Sequence, residues 1–278
     1  MIEERRAVER GRLSAYSNLI YRAFRASISK ANSFVGALGI FLVAGLIIAA
    51  IGTAIFVTLA SHVKSGSTQA FDESVIRWMG AHHSPSIDAT MLEITALGTG
   101  TVVMMVVAVA SLFLVLTQHK YSALLLLVST FGGIVLNGVL KLGFDRPRPS
   151  IFVPEVHTVS SSFPSGHAMS AAIVYTTVAY LAARLHQRKW ARWLVMAAAL
   201  VLIALISFSR MYLGVHYPSD VIAGVAIGLG WAGFCMATLE AIQKFGVHRD
   251  PRILEEETPP PPDPDASPPI PASSSTRR

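Results

Sequence analysis

The sequence predicts an all-α, polytopic membrane protein with six transmembrane helices and with both chain termini in the cytoplasm. The composition supports this fold class first. Apolar residues make up 52% of the 278 residues, charged residues only 14%, and the mean hydropathy is +0.51. Soluble domains carry about 25% charged residues, so this composition excludes a typical soluble enzyme and a disordered protein. Six long apolar stretches and an uneven distribution of lysine and arginine complete the case.

Six stretches are apolar enough to cross a bilayer, because a spanning helix needs about 20 mostly apolar residues. They are 34–60, 94–117, 121–140, 168–183, 194–209 and 221–239. The fourth stretch is short, but the residues before it can lengthen the helix. The first begins too late in the chain and is too long for a cleaved signal peptide. We therefore interpret it as a true span.

The distribution of basic residues predicts the orientation of these spans. With a cytoplasmic N terminus, 17 of the 23 lysines and arginines lie on the cytoplasmic side. Cytoplasmic loops of membrane proteins carry such an excess, so both termini are expected inside. The same asymmetry explains the net charge of +6. No basic stripe is interleaved with aromatic residues, so a nucleic-acid partner is not expected.

Residues 34–240 form the predicted membrane domain, and the two flanking segments are predicted to be cytoplasmic. In the segment 1–33, apolar residues at helical spacing over 13–28 fit a basic amphipathic helix on the inner leaflet; a frayed basic tail is the alternative. Within the segment 241–278, residues 255–278 hold eight of the 15 prolines, which predicts a disordered tail. Within the membrane domain, residues 71–79 predict a short helix at the outer interface.

Three clusters of polar residues interrupt the apolar chain, and the topology places all three outside. They are Lys141 to Pro149, which includes Arg146 and Arg148, the Pro-Ser-Gly-His sequence at 164–167, and Ser209 to Asp220, which includes Arg210 and His216. Charged side chains beside the ends of membrane helices are costly unless they have a function or a partner. Two roles for Arg146 remain as alternatives: it contacts the head group of a substrate, or it is a solvated charge.

The basic residues of these clusters predict a phosphate site. Lys141, Arg148 and Arg210 would converge on an anion with several oxygens, since guanidinium groups match phosphate geometry and lysine adds a point charge. Ser165 and Gly166 directly precede an apolar helix, whose N terminus offers free N–H groups and a positive dipole end. Gly166 also lets the backbone approach closely. Such a site needs neither a metal ion nor another cofactor.

Two histidines divide the expected chemistry. His216 lies four residues before Asp220, whose carboxylate can hold one ring nitrogen protonated and aim the other. This makes His216 a candidate nucleophile toward phosphorus. His167 begins the fourth span beside the phosphate site, where it can protonate the leaving oxygen.

The ordered pattern Lys-x6-Arg-Pro, Pro-Ser-Gly-His and Ser-Arg-x5-His-x3-Asp resembles that of the type 2 phosphatidic acid phosphatase superfamily of membrane lipid phosphatases. No motif position departs from the family pattern, and the resemblance covers about residues 34–240. It implies a phosphohistidine on His216, with His167 as general acid. It also implies that Lys141, Arg148, Arg210, Ser165 and Gly166 bind the phosphate, at the outer surface of a six-helix bundle.

The resemblance also implies a substrate class. The expected activity is removal of phosphate from a lipid phosphate or diphosphate, with undecaprenyl diphosphate as the first choice and phosphatidate or phosphatidylglycerol phosphate next. A lipid A phosphatase or a lipid phosphotransferase are further alternatives. The expected partners are this substrate and membrane lipids, and the oligomeric state is open. The expected location is the inner or plasma membrane, with the site on the periplasmic or extracellular side.

A transporter or a lipid-binding protein without catalysis is the alternative from another class. A transporter would place its polar residues near the bilayer midplane, on broken helices, whereas here they lie at helix ends on one side. A vanadate-dependent haloperoxidase shares the histidine and cation pattern, but such enzymes are soluble.

The predicted topology can be tested by labelling. A cysteine introduced at Ser160, in a background without Cys235, should react with a membrane-impermeant thiol reagent in intact cells or spheroplasts, because the loop 141–167 is expected outside. The parent without Cys235 is the control for background labelling. Reaction only after permeabilisation would reverse the orientation.

Overall fold

A computed structural model describes residues 34–150, 161–186 and 188–247. Within these ranges the regular secondary structure is α-helical, and the helices are α1 (Phe34–Lys64), α2 (Gln69–Gly80), α3 (Pro85–Ala96), α4 (Gly100–Leu116), α5 (Lys120–Leu142), α6 (Gly166–Leu185), α7 (Lys189–Tyr212) and α8 (Pro218–Val247). The predicted amphipathic helix before residue 34 and residues 248–278 of the predicted disordered tail lie outside the described residues, whereas residues 241–247 are helical. Helix α8 continues past residue 240, where the sequence places the end of the membrane domain.

Five of these helices, α1, α5, α6, α7 and α8, are long and apolar enough to cross a membrane. Helices α3 and α4 pass the same test together, as a pair bent by 45°. Counting that pair as one span confirms the prediction of a six-span, all-α membrane protein. The prediction of one continuous helix over 94–117 is wrong, because the chain breaks between Ala96 and Gly100.

Gly98 lies in this break, where two other helices approach the backbone closely. A Cβ atom at this position would lie 2.6 Å from Cγ2 of Ile206 and 3.3 Å from Cδ2 of His167. The break frees the carbonyl of Leu97, which accepts a hydrogen bond of 2.7 Å from the hydroxyl of Tyr175. The break in this span therefore lies directly against the N-terminal turn of α6.

Helix α8 is the central helix of the bundle. Its apolar stretch is 61% buried within the protein, compared with 17% for α1, and both α1 and α6 pack along it. Two glycines on α8 allow a very close approach of α6. A Cβ atom added to Gly224 would lie 2.6 Å from the carbonyl oxygen of Ser165, and one added to Gly228 would lie 2.8 Å from that of Met169. As a result, the first turns of α6 and α8 lie side by side.

All three polar clusters meet at one end of the bundle, together with α2. The predicted short helix is present as Gln69–Gly80, and it exposes Phe71 and Trp78 while burying Asp72. This end is built from the C-terminal ends of α5 and α7 and the N-terminal ends of α6 and α8.

Candidate active site

His216 lies in the loop between α7 and α8 and is only 2% exposed. Its Nε2 atom is 3.2 Å from Nη1 of Arg148. Because arginine can only donate, Nε2 accepts and the ring proton sits on Nδ1. The Nδ1 atom is 3.4 Å from the hydroxyl of Ser162 and 3.8 Å from Oδ2 of Asp220. The lone pair of Nε2 thus faces the basic side of the site.

Ser162 lies between the histidine and the carboxylate. Its hydroxyl donates to Oδ2 of Asp220 at 2.5 Å, so its oxygen is available to accept the proton of His216 Nδ1. The same Oδ2 accepts a second bond of 2.9 Å from the backbone N–H of Tyr217. The sequence predicts a histidine–aspartate pair in direct contact, and the structure instead joins the two mainly through this serine.

Burial lowers the pKa of His216 from its ordinary value of 6.5 to about 4. The hydrogen bond and charge of Asp220 act in the opposite direction, and the positive charges of Arg148 and Arg210 lower the pKa further. The imidazole is therefore neutral at physiological pH. A neutral ring with a free lone pair is the form that can act as a nucleophile.

The three predicted cations act on one another at this end of the bundle. Lys141 interacts electrostatically with Arg148 and Arg210, and Arg148 also donates to the carbonyl of Val215 at 2.7 Å. Arg210 is 2% exposed, and its Nη1 donates to the hydroxyl of Thr95 on α3 at 2.7 Å. With Arg210 buried and Lys141 and Arg148 half-buried, the three positive groups create a strong field for an anion.

Ser165 and Gly166 form the start of α6, next to α8. The backbone N–H of Ser165 donates to the carbonyl of Asp220 at 3.0 Å, which ties the two helix starts together. Within the part of the chain that the structure describes, the Ser165 hydroxyl and Nε of Arg210 are buried polar atoms without a hydrogen-bond partner. Both are donors suited to a phosphate oxygen.

His167 lies in the first turn of α6. It interacts electrostatically with four other predicted site residues: Arg210, His216, Lys141 and Arg148. The structure therefore brings all eight predicted site residues to the same end of the bundle. Among the residues described, no group of three or more His, Cys, Asp and Glu side chains could hold a metal ion.

Four further residues support this site and were not assigned to it from the sequence: Asp72, Thr95, Arg146 and Ser162. Arg146 is not a solvated charge, because its side chain is 9% exposed and bonds to both Asp72 and Asp220. Ser162 stands two residues before the Pro-Ser-Gly-His motif, so its position alone gave a weak signal. Asp72 and Thr95 lie far away in sequence, and no spacing pattern pointed to them.

Several known proteins are similar to this chain in sequence. A family model described as the PAP2 superfamily matches residues 122–244. Phosphatidylglycerophosphatase B from Bacillus subtilis is 34% identical over 175 residues, which cover 63% of this chain and 86% of that protein. An undecaprenyl-diphosphatase from Sulfolobus acidocaldarius is 33% identical, over 49% of this chain and 63% of that protein.

A solved structure extends the likeness to the fold. The crystal structure of a transmembrane PAP2-type phosphatidylglycerolphosphate phosphatase from Bacillus subtilis matches with a TM-score of 0.66 at 31% identity, and covers 70% of this chain and 98% of that protein. Sequence similarity over most of a relative's length and a shared multi-span fold lead to one conclusion: this chain belongs to the PAP2 superfamily.

Proposed function

We propose that this PAP2 protein hydrolyses a lipid phosphate or diphosphate through a phosphohistidine intermediate on His216. One observation carries the proposal: Nε2 of a buried, neutral imidazole faces the guanidinium of Arg148 at 3.2 Å. A nucleophile and a phosphate-binding donor then meet at the same point, as nucleophilic catalysis at phosphorus requires.

In the first step, Nε2 of His216 forms a bond to phosphorus while the bond from phosphorus to the leaving oxygen breaks. The substrate first takes over the Nη1 donor of Arg148, which frees the lone pair of Nε2. Arg148, Arg210, Lys141 and the start of α6 hold the other phosphate oxygens and stabilise their growing charge. His167 gives a proton to the leaving oxygen.

In the second step, a water molecule attacks the phosphorus and gives a proton back to His167. The nitrogen–phosphorus bond breaks, inorganic phosphate leaves, and Nε2 regains its lone pair. Asp220 acts through Ser162 in both steps, since their hydrogen bonds keep the proton on Nδ1 and favour the positive ring of the intermediate.

Undecaprenyl diphosphate is the proposed first substrate, and phosphatidylglycerol phosphate is the second. The resemblance of the motifs supports the first choice, and relatives named undecaprenyl-diphosphatase are consistent with it. The relative named phosphatidylglycerophosphatase B, which matches over 86% of its length, favours the second. The excess of basic residues on the opposite side supports a site on the periplasmic or extracellular side of an inner or plasma membrane.

The direct test is phosphate release by the purified protein from a panel of lipid phosphates in EDTA. We expect turnover of at least one of undecaprenyl diphosphate, phosphatidylglycerol phosphate and phosphatidate, without any divalent cation, because side chains alone supply the positive charge. His216→Ala, purified in the same way, controls for contaminating phosphatases. Activity that disappears in EDTA and returns with magnesium would contradict the mechanism.

The two histidines should respond differently to the leaving group. A lipid alkoxide leaves poorly without a proton, whereas a nitrophenolate leaves well. We expect His167→Ala to lose about 10²- to 10⁴-fold in kcat on the lipid and to recover much of this on an aryl phosphate. His216→Ala should remain inactive on both and should form no phosphoenzyme. Equal losses on both substrates for His167→Ala would remove the case for it as the acid.

The acid limb of activity should report the low pKa of His216. Protonation abolishes the nucleophile, so kcat/KM, corrected for the ionisation of the substrate, should fall only as the pH drops through about 4. It should not fall near 6.5, the ordinary value for histidine. The measurement is a pH profile of kcat/KM for an aryl phosphate. An acid limb between pH 6 and 7 would contradict a buried, neutral nucleophile.

A further inference from the structure

Arg146 joins three segments of the chain inside the protein. Its Nη1 donates to Oδ1 of Asp220 at 2.5 Å and to the hydroxyl of Ser219 at 2.8 Å. Its Nη2 donates to Oδ2 of Asp72 on α2 at 2.7 Å and to the side-chain oxygen of Gln69 at 3.1 Å. The planar guanidinium thus fixes two carboxylates in defined directions, which a lysine could not do.

The charges in this group depend on one another. Asp72 and Asp220 are both fully buried, and Arg146 faces them both. Burial lowers the pKa of Arg146, but the charges and hydrogen bonds of the two carboxylates outweigh it, so the pKa is raised. Removing one partner from such a buried group leaves an uncompensated charge, which is strongly destabilising.

Arg146 also sets the orientation of the Asp220 carboxylate. Oδ2 accepts from Ser162 and from the backbone of Tyr217, whereas Oδ1 accepts from Arg146 alone within the described part of the chain. The terminal torsion of an aspartate is soft, so bonds to both oxygens are needed to fix its plane. The bond to Arg146 therefore keeps Oδ2 directed at Ser162 and at Nδ1 of His216.

Asp72 fixes the start of α8 from a different helix. Its Oδ1 accepts the backbone N–H of Ser219 at 3.1 Å, and its Oδ2 accepts the Ser219 hydroxyl at 2.6 Å. A negative side chain is favourable at the positive end of a helix. Since Asp220 is the next residue of that turn, the position of Asp220 depends on α2.

We propose that Asp72 and Arg146 are positioning residues for the reaction, an inference that rests on the proposed function of His216. Asp72 holds α2 on the first turn of α8, and Arg146 carries this contact to the carboxylate of Asp220. The two residues act through Asp220 and Ser162 on the nucleophile. Helix α2 is then a part of the active site and more than a connection between two spans.

The test compares Asp72→Asn and Arg146→Lys with the parent, on a lipid phosphate that the parent hydrolyses. We expect each variant to lose about 10- to 100-fold in kcat, with KM within about threefold, because only the transition state needs the aligned carboxylate. The matched controls are Asp145→Asn and Arg77→Lys, two exposed charges, which should stay within about twofold of the parent. The double variant should be no slower than the slower single variant, because the two residues act as one unit.

A second variant separates positioning from folding. Arg146→Gln combined with Asp72→Asn removes one positive and one negative charge, so the net charge of the buried group is unchanged and only Asp220 stays charged. We expect this protein to fold, as measured by its thermal midpoint and gel-filtration profile, but to lose about 100-fold in kcat. The charged groups acting on His216 are Asp220, which raises its pKa, and Arg148 and Arg210, which lower it. Without Arg146, the charge of Asp220 is less compensated and raises the pKa of His216 further. The acid limb of kcat/KM should therefore move to higher pH.

The outcomes are distinct for this inference and for the proposed function. If His216→Ala retains the activity of the parent, the proposed function fails, and the positioning role fails with it. If His216→Ala is inactive while Asp72→Asn and Arg146→Lys remain within twofold of the parent, the positioning role alone is wrong. It is also wrong if the charge-balanced variant loses activity only in proportion to its folded fraction and keeps the acid limb of the parent.

Discussion

The buried carboxylate of Asp220 is the group around which one end of this membrane protein is assembled. A buried charge must be fully hydrogen-bonded, and its donors here come from Arg146 after α5, Ser162 before α6 and the backbone of Tyr217 before α8. The backbone carbonyl of Asp220 accepts a hydrogen bond from the N–H of Ser165, at the start of α6. Satisfying one aspartate thus draws together segments that would otherwise be joined only through the spans. The helix starts and the loops of the site take their places from this requirement.

The positive field of the site has two effects. Arg148 and Arg210 offer an anion its binding partners, and the same two charges help to keep the imidazole of His216 neutral, beyond the effect of burial. A phosphate that binds between them would compensate their charge, which would make a positive ring less costly in the complex than in the free protein. The positive field thus keeps His216 unprotonated before the substrate binds, and it opposes the positively charged phosphohistidine less once the phosphate is in place.

Much of this arrangement could be predicted from the sequence, because membrane spans and motif spacing are local signals. Hydropathy predicted the spans, and the three polar clusters predicted eight residues that the structure brings to one end of the bundle. The break at Gly98 was not predicted, because the apolar character of the whole stretch 94–117 hid the Gly-Thr-Gly sequence at 98–100. The close approach of His167 and Ile206 to Gly98 joins distant parts of the sequence, so no local pattern could show it. Asp72 and Thr95 were missed for a similar reason: each acts through a partner more than 70 residues away, and nothing near either residue in the sequence marks it.

The packing of α1 shows that the folded membrane domain extends beyond the residues that the family model matches. The family model begins at residue 122, yet α1 meets α8 backbone to backbone. A Cβ atom added to Gly45 would lie 2.7 Å from the carbonyl oxygen of Gly233, and one added to Gly52 would lie 2.4 Å from that of Ala226. A protein shortened to residues 122–244 would turn this glycine-lined face of α8 toward lipid and would lose these close contacts of the central helix. Helix α1 therefore belongs to the same folded domain as the site, although it lies before the matched residues.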